Sequence, residues 1–127
     1  IYLFDFGLAK TIDNIKKCSS GTIYYVSPEI IINMKYSDVN IEVMPNTDIW
    51  SLGVTMYVLL LKEYPFNSSK IKEIPDIILN KSITENNSFN ILDETTKDLL
   101  MKCLHKNPSK RINIDDIINH KWFNDIL

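Results

Sequence analysis

Asp5-Phe6-Gly7-Leu8-Ala9 opens, and Gly21-Thr22-Ile23-Tyr24-Tyr25-Val26-Ser27-Pro28-Glu29 closes, the stretch on which the reading of this chain turns. Residues 8–26 mix polar and small side chains with no sustained period, which is the pattern of a long loop. A loop of that length inside a domain is usually functional or disordered. Far downstream, one residue type stands out. Of the 14 basic residues only Arg111 is an arginine, in Asn107-Pro108-Ser109-Lys110-Arg111-Ile112. A chain that uses lysine everywhere else points here to a planar fork gripping a carboxylate at both oxygens, which an ammonium cannot do. Glu29 is the carboxylate assigned to it.

Working outward, residues 1–4 read as a short strand entered without a polar lead-in. A short helix is expected from Pro28, tolerated in a first turn, to about Asn33. Residues 34–46 are irregular. Asp48-Ile49-Trp50-Ser51-Leu52-Gly53-Val54-Thr55-Met56-Tyr57-Val58-Leu59-Leu60-Leu61 is apolar nearly all round, which predicts a helix buried on every side. It is too short to cross a bilayer and carries Asp48 in its first turn. Thr47 or Asn46 would cap it, and Trp50, Met56, Tyr57 and Leu59 are expected in the core. A weaker helix is expected over residues 71–79, interrupted by Pro75, before an Asn/Ser-rich loop at 80–90. Asp93 would cap an amphipathic helix to His105 that buries Leu99, Leu100, Cys103 and Leu104. Asn113 would cap a last helix ending near Trp122. One strand, one long loop, then helices: the fold class is mostly α, in one domain or part of one.

With 45% hydrophobic and 24% charged residues, the composition is that of a globular chain. A net charge of −2 gives no basic field for nucleic acid or an anionic membrane. Cys18 and Cys103 match neither a disulfide framework nor a metal spacing, which suits a reducing compartment, cytoplasmic or nuclear. Glycosylation sequons at Asn67, Asn80 and Asn86 are expected by chance in so Asn-rich a chain. The absence of a start Met and the abrupt opening suggest a fragment or a truncated reading of a gene.

Taken in order, these motifs resemble the C-terminal lobe of eukaryotic Ser/Thr protein kinases. Asp5-Phe6-Gly7 resembles the metal-binding signature, and Gly21 to Glu29 the end of the activation segment. Asp48-Ile49-Trp50-Ser51-Leu52-Gly53 resembles the start of the central helix, Tyr64-Pro65-Phe66 a Pro-Pro-Phe turn, and Pro108 to Arg111 with His120-Lys121-Trp122-Phe123 the domain end. The resemblance implies an activation segment at 5–29 and a helical C-lobe at 30–127 of the α+β kinase fold. It implies ATP and Mg²⁺ as cofactors, and a protein substrate with a Ser or Thr acceptor. Asp5 would ligate Mg²⁺, Phe6 would pack as a switch, and Gly7 would supply backbone freedom. Thr22 would orient the catalytic loop, while Tyr24, Tyr25 and Val26, with Pro28, would form the substrate seat. Glu29 and Arg111 would form a buried ion pair tying that seat to the lobe, and Trp50 would be a structural core residue. Asp48 would be a buried carboxylate accepting hydrogen bonds from the catalytic loop.

That loop, with its His-Arg-Asp signature, is not in the sequence, nor are the Gly-rich loop and phosphate-pairing lysine of the N-lobe. The 127-residue chain alone is therefore expected to be inactive. Ser27 stands where the family usually has Ala, and the stretch from Glu29 to Asp48 is longer than usual. The usual activating phosphosite falls on Cys18, leaving Ser19 or Ser20 as acceptors, or none. Lys97-Asp98-Leu99-Leu100 and Asn107 to Ile112 resemble the calcium/calmodulin-dependent group most. Val58 occupies a place where some kinases carry a glutamate that reads basic substrates. His105 and His120 read as structural or surface residues. Three functions compete: part of an active kinase, a catalytically inactive pseudokinase-like binding lobe, or a truncated gene product.

Overall fold

The computed structural model describes residues 2–9, 22–36 and 45–124. Pro28 can start a helix but not continue one, and it stands in the first turn of α1 (Pro28–Lys35). α1 runs two residues past the expected end. The apolar run becomes α2 (Thr47–Leu61), which stops where Lys62 turns left-handed at φ 58°. A 3₁₀ turn (Ile71–Glu73) leads into α3 (Ile74–Asn80). Pro75 lies in the first turn of α3, so it begins this helix rather than interrupting a longer one. The segment expected to be loop holds two short capped elements. Ser82 and Glu85 form a capping box on the turn Ile83–Glu85, and Asn86 caps α4 (Asn87–Asn90). Asp93 accepts from the amides of Thr95 and Thr96 to start α5 (Glu94–Cys103), which stops short of His105. Asn113 caps α6 (Ile114–Ile118), and the expected continuation to Trp122 is a separate 3₁₀ turn, Lys121–Phe123, capped by His120.

Two expectations fail for the same physical reason. No strand is present among the described residues, and Tyr2, Leu3 and Phe4 are exposed. A strand needs a neighbour to take its backbone hydrogen bonds, and residues 2–4 have none beside them. Nor is α2 buried on every side. Ile49, Trp50, Gly53, Val54 and Tyr57 face inward, but Leu59, expected in the core, is 65% exposed, with Leu52 and Leu60 also outward. Hydropathy reports that a face wants cover, not that cover is there. No helix among the described residues is long and apolar enough to cross a membrane.

The core forms where α2 meets its neighbours. Trp50 lies parallel to Phe66, ring centroids 5.6 Å apart, among Ile30, Ile31, Val54, Tyr57, Ile78 and Leu100. A smaller cluster joins Ile49, Leu99, Cys103 and Ile117. α2 and α5 approach closely at Gly53, where an added Cβ would lie 2.8 Å from the Cys103 Cβ. Burial pushes the Cys103 thiol up to about 12, against the opposing pull of Arg111, so it is an inert core thiol. Cys18, Ser19, Ser20 and Gly21, with most of the long loop and the extra residues at 37–44, lie outside the described residues.

Candidate functional site

The seat is built from a short 3₁₀ turn, Ile23–Tyr25, running straight into α1. Glu29, in the first turn of α1, is 1% exposed. Arg111 follows the turn Pro108–Lys110, which Asn107 caps, and its neighbour Ile112 donates its amide to the Lys102 carbonyl of α5 at 3.2 Å. The two side chains, 82 positions apart, meet at both ends of the fork: Nη1 to Oε1 at 2.8 Å and Nη2 to Oε2 at 2.9 Å. Arg111 also donates from Nε to the His105 carbonyl at 3.0 Å and from Nη1 to the Asn46 carbonyl at 2.9 Å. Its guanidinium carbon lies 5.3 Å from the Trp50 ring centroid. One cation thus joins α1, the start of α2, the end of α5 and the core tryptophan.

Burial pushes the Glu29 carboxyl up. The Arg111 hydrogen bonds and charge, its own backbone amide and the Thr47 hydroxyl together outweigh this and hold it below the ordinary value of 4.5. Thr47, expected to cap α2, instead donates its hydroxyl to Glu29 Oε1 at 2.9 Å. Asn46 stands at the cap position without a side-chain bond to the helix and donates to the Pro108 carbonyl. The Thr47 side chain is drawn to the ion pair, a stronger electrostatic partner than an exposed amide, and the Asn46 side chain to the turn that carries Arg111.

α2 grips the seat directly. Ser51 donates its hydroxyl to the Tyr25 carbonyl at 3.0 Å. Tyr24 stacks on Tyr64 at 4.1 Å, and Tyr25 meets Tyr64 edge-on at 5.8 Å. The Tyr25 phenol is raised by burial first, then by its hydrogen bond and charge interaction with Tyr64. Tyr24 and Tyr25 stay half-buried. Val26, expected to line the seat with them, turns into the core, and Pro28 is buried under α1.

The other expected site residues are not brought together. Asp5 is exposed and left-handed (φ 65°), and Phe6, expected to pack as a switch, is 68% exposed in the turn Phe6–Leu8. The residue in left-handed backbone is thus Asp5 rather than Gly7, a conformation that a short polar side chain tolerates. Thr22 is exposed and makes no side-chain cap. Asp48, expected to be buried, is exposed in the first turn of α2. The donors assigned to it belong to a catalytic loop that the sequence does not contain, so the carboxylate faces solvent. Among the described residues no cluster of three or more His, Cys, Asp or Glu could hold a metal. His120 is structural: its ring bonds Asp98 at 3.0 Å and caps the last turn. Thr47, Ser51 and Tyr64 were missed as parts of the seat. None carries a local signal, because each acts on a residue 18 to 40 positions away.

Residues 1–123 match the family described as "Protein kinase domain". The chain belongs to this protein kinase domain family. Relatives that it matches are named as Ser/Thr protein kinases. It is 37% identical to the Dictyostelium discoideum "Probable serine/threonine-protein kinase fhkD" over 98% of this chain and 18% of that protein. It is 36% identical to "Serine/threonine-protein kinase ppk34" of Schizosaccharomyces pombe over 97% of this chain and 33% of the relative. With "Calcium/calmodulin-dependent protein kinase kinase cmkC" of Emericella nidulans the identity is 34%, over 93% and 22%. The kinase chain therefore spans between 18% and 33% of the length of these relatives. Among the described residues all regular structure is helical, as in the helical C-lobe of the kinase fold.

Proposed function

We propose that this chain is the substrate-holding part of a Ser/Thr protein kinase, acting within a longer polypeptide that transfers the γ-phosphoryl of ATP to a Ser or Thr hydroxyl. The observation that carries the reading is the Glu29–Arg111 pair. It fixes the segment from Thr22 to Ser27 on α2, as a rigid edge must be fixed to present a peptide in register. Asp5 suits Mg²⁺ as a single hard oxygen donor, because a nucleotide-bound Mg²⁺ takes most of its ligands from phosphates and water. When bound, the ion would neutralise charge on the phosphates. Phe6 and Gly7 would flank Asp5 on the nucleotide side. Thr22, exposed at the entrance to the seat, would orient a catalytic loop supplied by the rest of the polypeptide. Without that loop the isolated chain supplies a seat and one metal ligand but no base, and it is inactive. By its motifs the chain falls nearest the calcium/calmodulin-dependent kinase group, and the protein works in the cytoplasm or nucleus.

The native polypeptide carrying this chain, given γ-labelled ATP, Mg²⁺ and Ser/Thr peptides, should transfer label. Asp5→Asn should lower kcat by about 100-fold or more, as loss of a charge-neutralising contact does, and leave peptide binding intact. Absence of transfer by the wild-type polypeptide would leave only the pseudokinase-like binding lobe.

A further inference from the structure

Tyr64 stands between two fixed points of the chain. Before it, Lys62 turns left-handed at φ 58° and ends α2. After it, Pro65 and Phe66 are buried, and the Phe66 ring lies 5.6 Å from that of Trp50 with Lys106 Nζ 4.8 Å from its centre. The backbone that carries the Tyr64 ring is therefore held from both sides.

That ring meets both tyrosines of the seat. It stacks on Tyr24 at 4.1 Å with the planes 18° apart, and it meets Tyr25 edge-on at 5.8 Å and 88°. Aromatic pairs of these kinds are worth more than the area they bury. Among the described residues neither seat tyrosine meets any other aromatic ring. The main chain of the seat is secured separately. Ser51 donates to the Tyr25 carbonyl at 3.0 Å, and the Tyr25 amide donates to the Thr22 carbonyl at 2.9 Å. Backbone and side chains thus have different anchors: α2 and the Glu29–Arg111 pair for the first, Tyr64 for the second. All three tyrosines are half-buried, so each leaves part of its surface open to solvent. Tyr64 also stands where the Pro-Pro-Phe turn that this stretch resembles has a proline, which has no aromatic ring to offer. The three-ring cluster is a feature of this sequence.

We infer that Tyr64 is a positioning residue for peptide binding, holding the Tyr24 and Tyr25 rings in the rotamers that receive the substrate residue beside the phosphoacceptor. The inference rests on the kinase reading above. Without the Tyr64 ring, both tyrosines must be ordered when the peptide arrives, and that ordering weakens binding rather than chemistry. The test uses the native polypeptide with ATP, Mg²⁺ and a panel of Ser/Thr peptides varied at the positions flanking the acceptor. Tyr64→Leu should raise the peptide KM about 10-fold, the effect of re-ordering two side chains, with far smaller changes in kcat and in the KM for ATP. Its order of preference should change at the position beside the acceptor. Tyr64→Phe, which keeps both ring contacts, should restore the peptide KM and the preference. In a Tyr24→Ala background, Tyr64→Leu should add much less, because the ring acts through that neighbour. Unaltered kinetics in Tyr64→Leu, a loss confined to kcat, or a failure of Tyr64→Phe to restore the KM each overturns the inference but keeps the kinase reading. A polypeptide that phosphorylates no peptide removes that reading, and this role with it.

Discussion

Arg111 makes four hydrogen bonds from a side chain that is 0% exposed, and two of them go to one carboxylate. Removing the guanidinium strands Glu29 without its charge partner. Arg111→Met should therefore cost about 3–5 kcal/mol in urea unfolding of the native polypeptide, and adding Glu29→Gln should recover part of that loss, since the orphaned charge disappears. Arg111→Lys should fall between, because an ammonium cannot span both oxygens. The pair also sets an acid limit. The folded Glu29 carboxyl titrates below its ordinary 4.5, so its stabilisation is complete above that pH and is lost as pH falls through the depressed value. The urea midpoint should drop on acidification below about pH 4.5, and Glu29→Gln should flatten that slope. Both partners were legible in the sequence, from the lone arginine and the Pro-Glu pair. Thr47 and Asn46 read as helix caps, and only the folded contacts with Glu29 and the Pro108 carbonyl reassign their side chains.

Helix starts were the most legible elements, because a cap is a local event. Asp93 accepts from two amides and from the Thr96 hydroxyl at 2.6 Å, so Asp93→Ala should cost about 1 kcal/mol by thermal melting. Helix ends were read less well. α6 stops at Ile118 because the chain turns to place His120 against Asp98 and Trp122 Nε1 on the Thr96 hydroxyl at 2.9 Å, contacts made with another helix. Gly53 carries no local signal at all: in the sequence it is a weak point in a helix. In the fold it is the contact between α2 and α5. Gly53→Ala would gain helix propensity but drive a methyl to 2.8 Å from Cys103 Cβ. A net loss of about 1–2 kcal/mol is expected, overpacking exceeding propensity. A melting temperature that rises would show that the two helices can separate without penalty.

At the scale of the molecule, the apolar surface is unbalanced. Leu52, Leu59 and Leu60 lie outward on α2, and Tyr2, Leu3, Phe4 and Phe6 are exposed at the other end of the chain. An apolar groove of about 240 Å³ runs between α2, α5 and the Trp122–Phe123 turn. Trp50 Nε1, Tyr57 OH and Ser27 Oγ are buried without hydrogen-bond partners. Surfaces and orphaned groups of this kind are covered or satisfied in a stable monomer. The 127-residue chain expressed alone should bind a hydrophobic dye, self-associate and melt broadly. A monomer with a sharp cooperative transition would show that the lobe is self-sufficient.

What the sequence determined by itself is what neighbours along the chain can specify. The caps at Asp93 and Asn113, the Pro28 start of α1, the mostly helical class and the order of the kinase motifs are all of this kind. The tertiary structure alone decided which face of α2 is covered, where Val26 points, that Asp48 stands in solvent, and that Tyr24 meets Tyr64. Hydrophobicity and capping are properties of a residue and its near neighbours. Burial and pairing belong to two surfaces brought together across tens of positions, and no local pattern records which surface arrives.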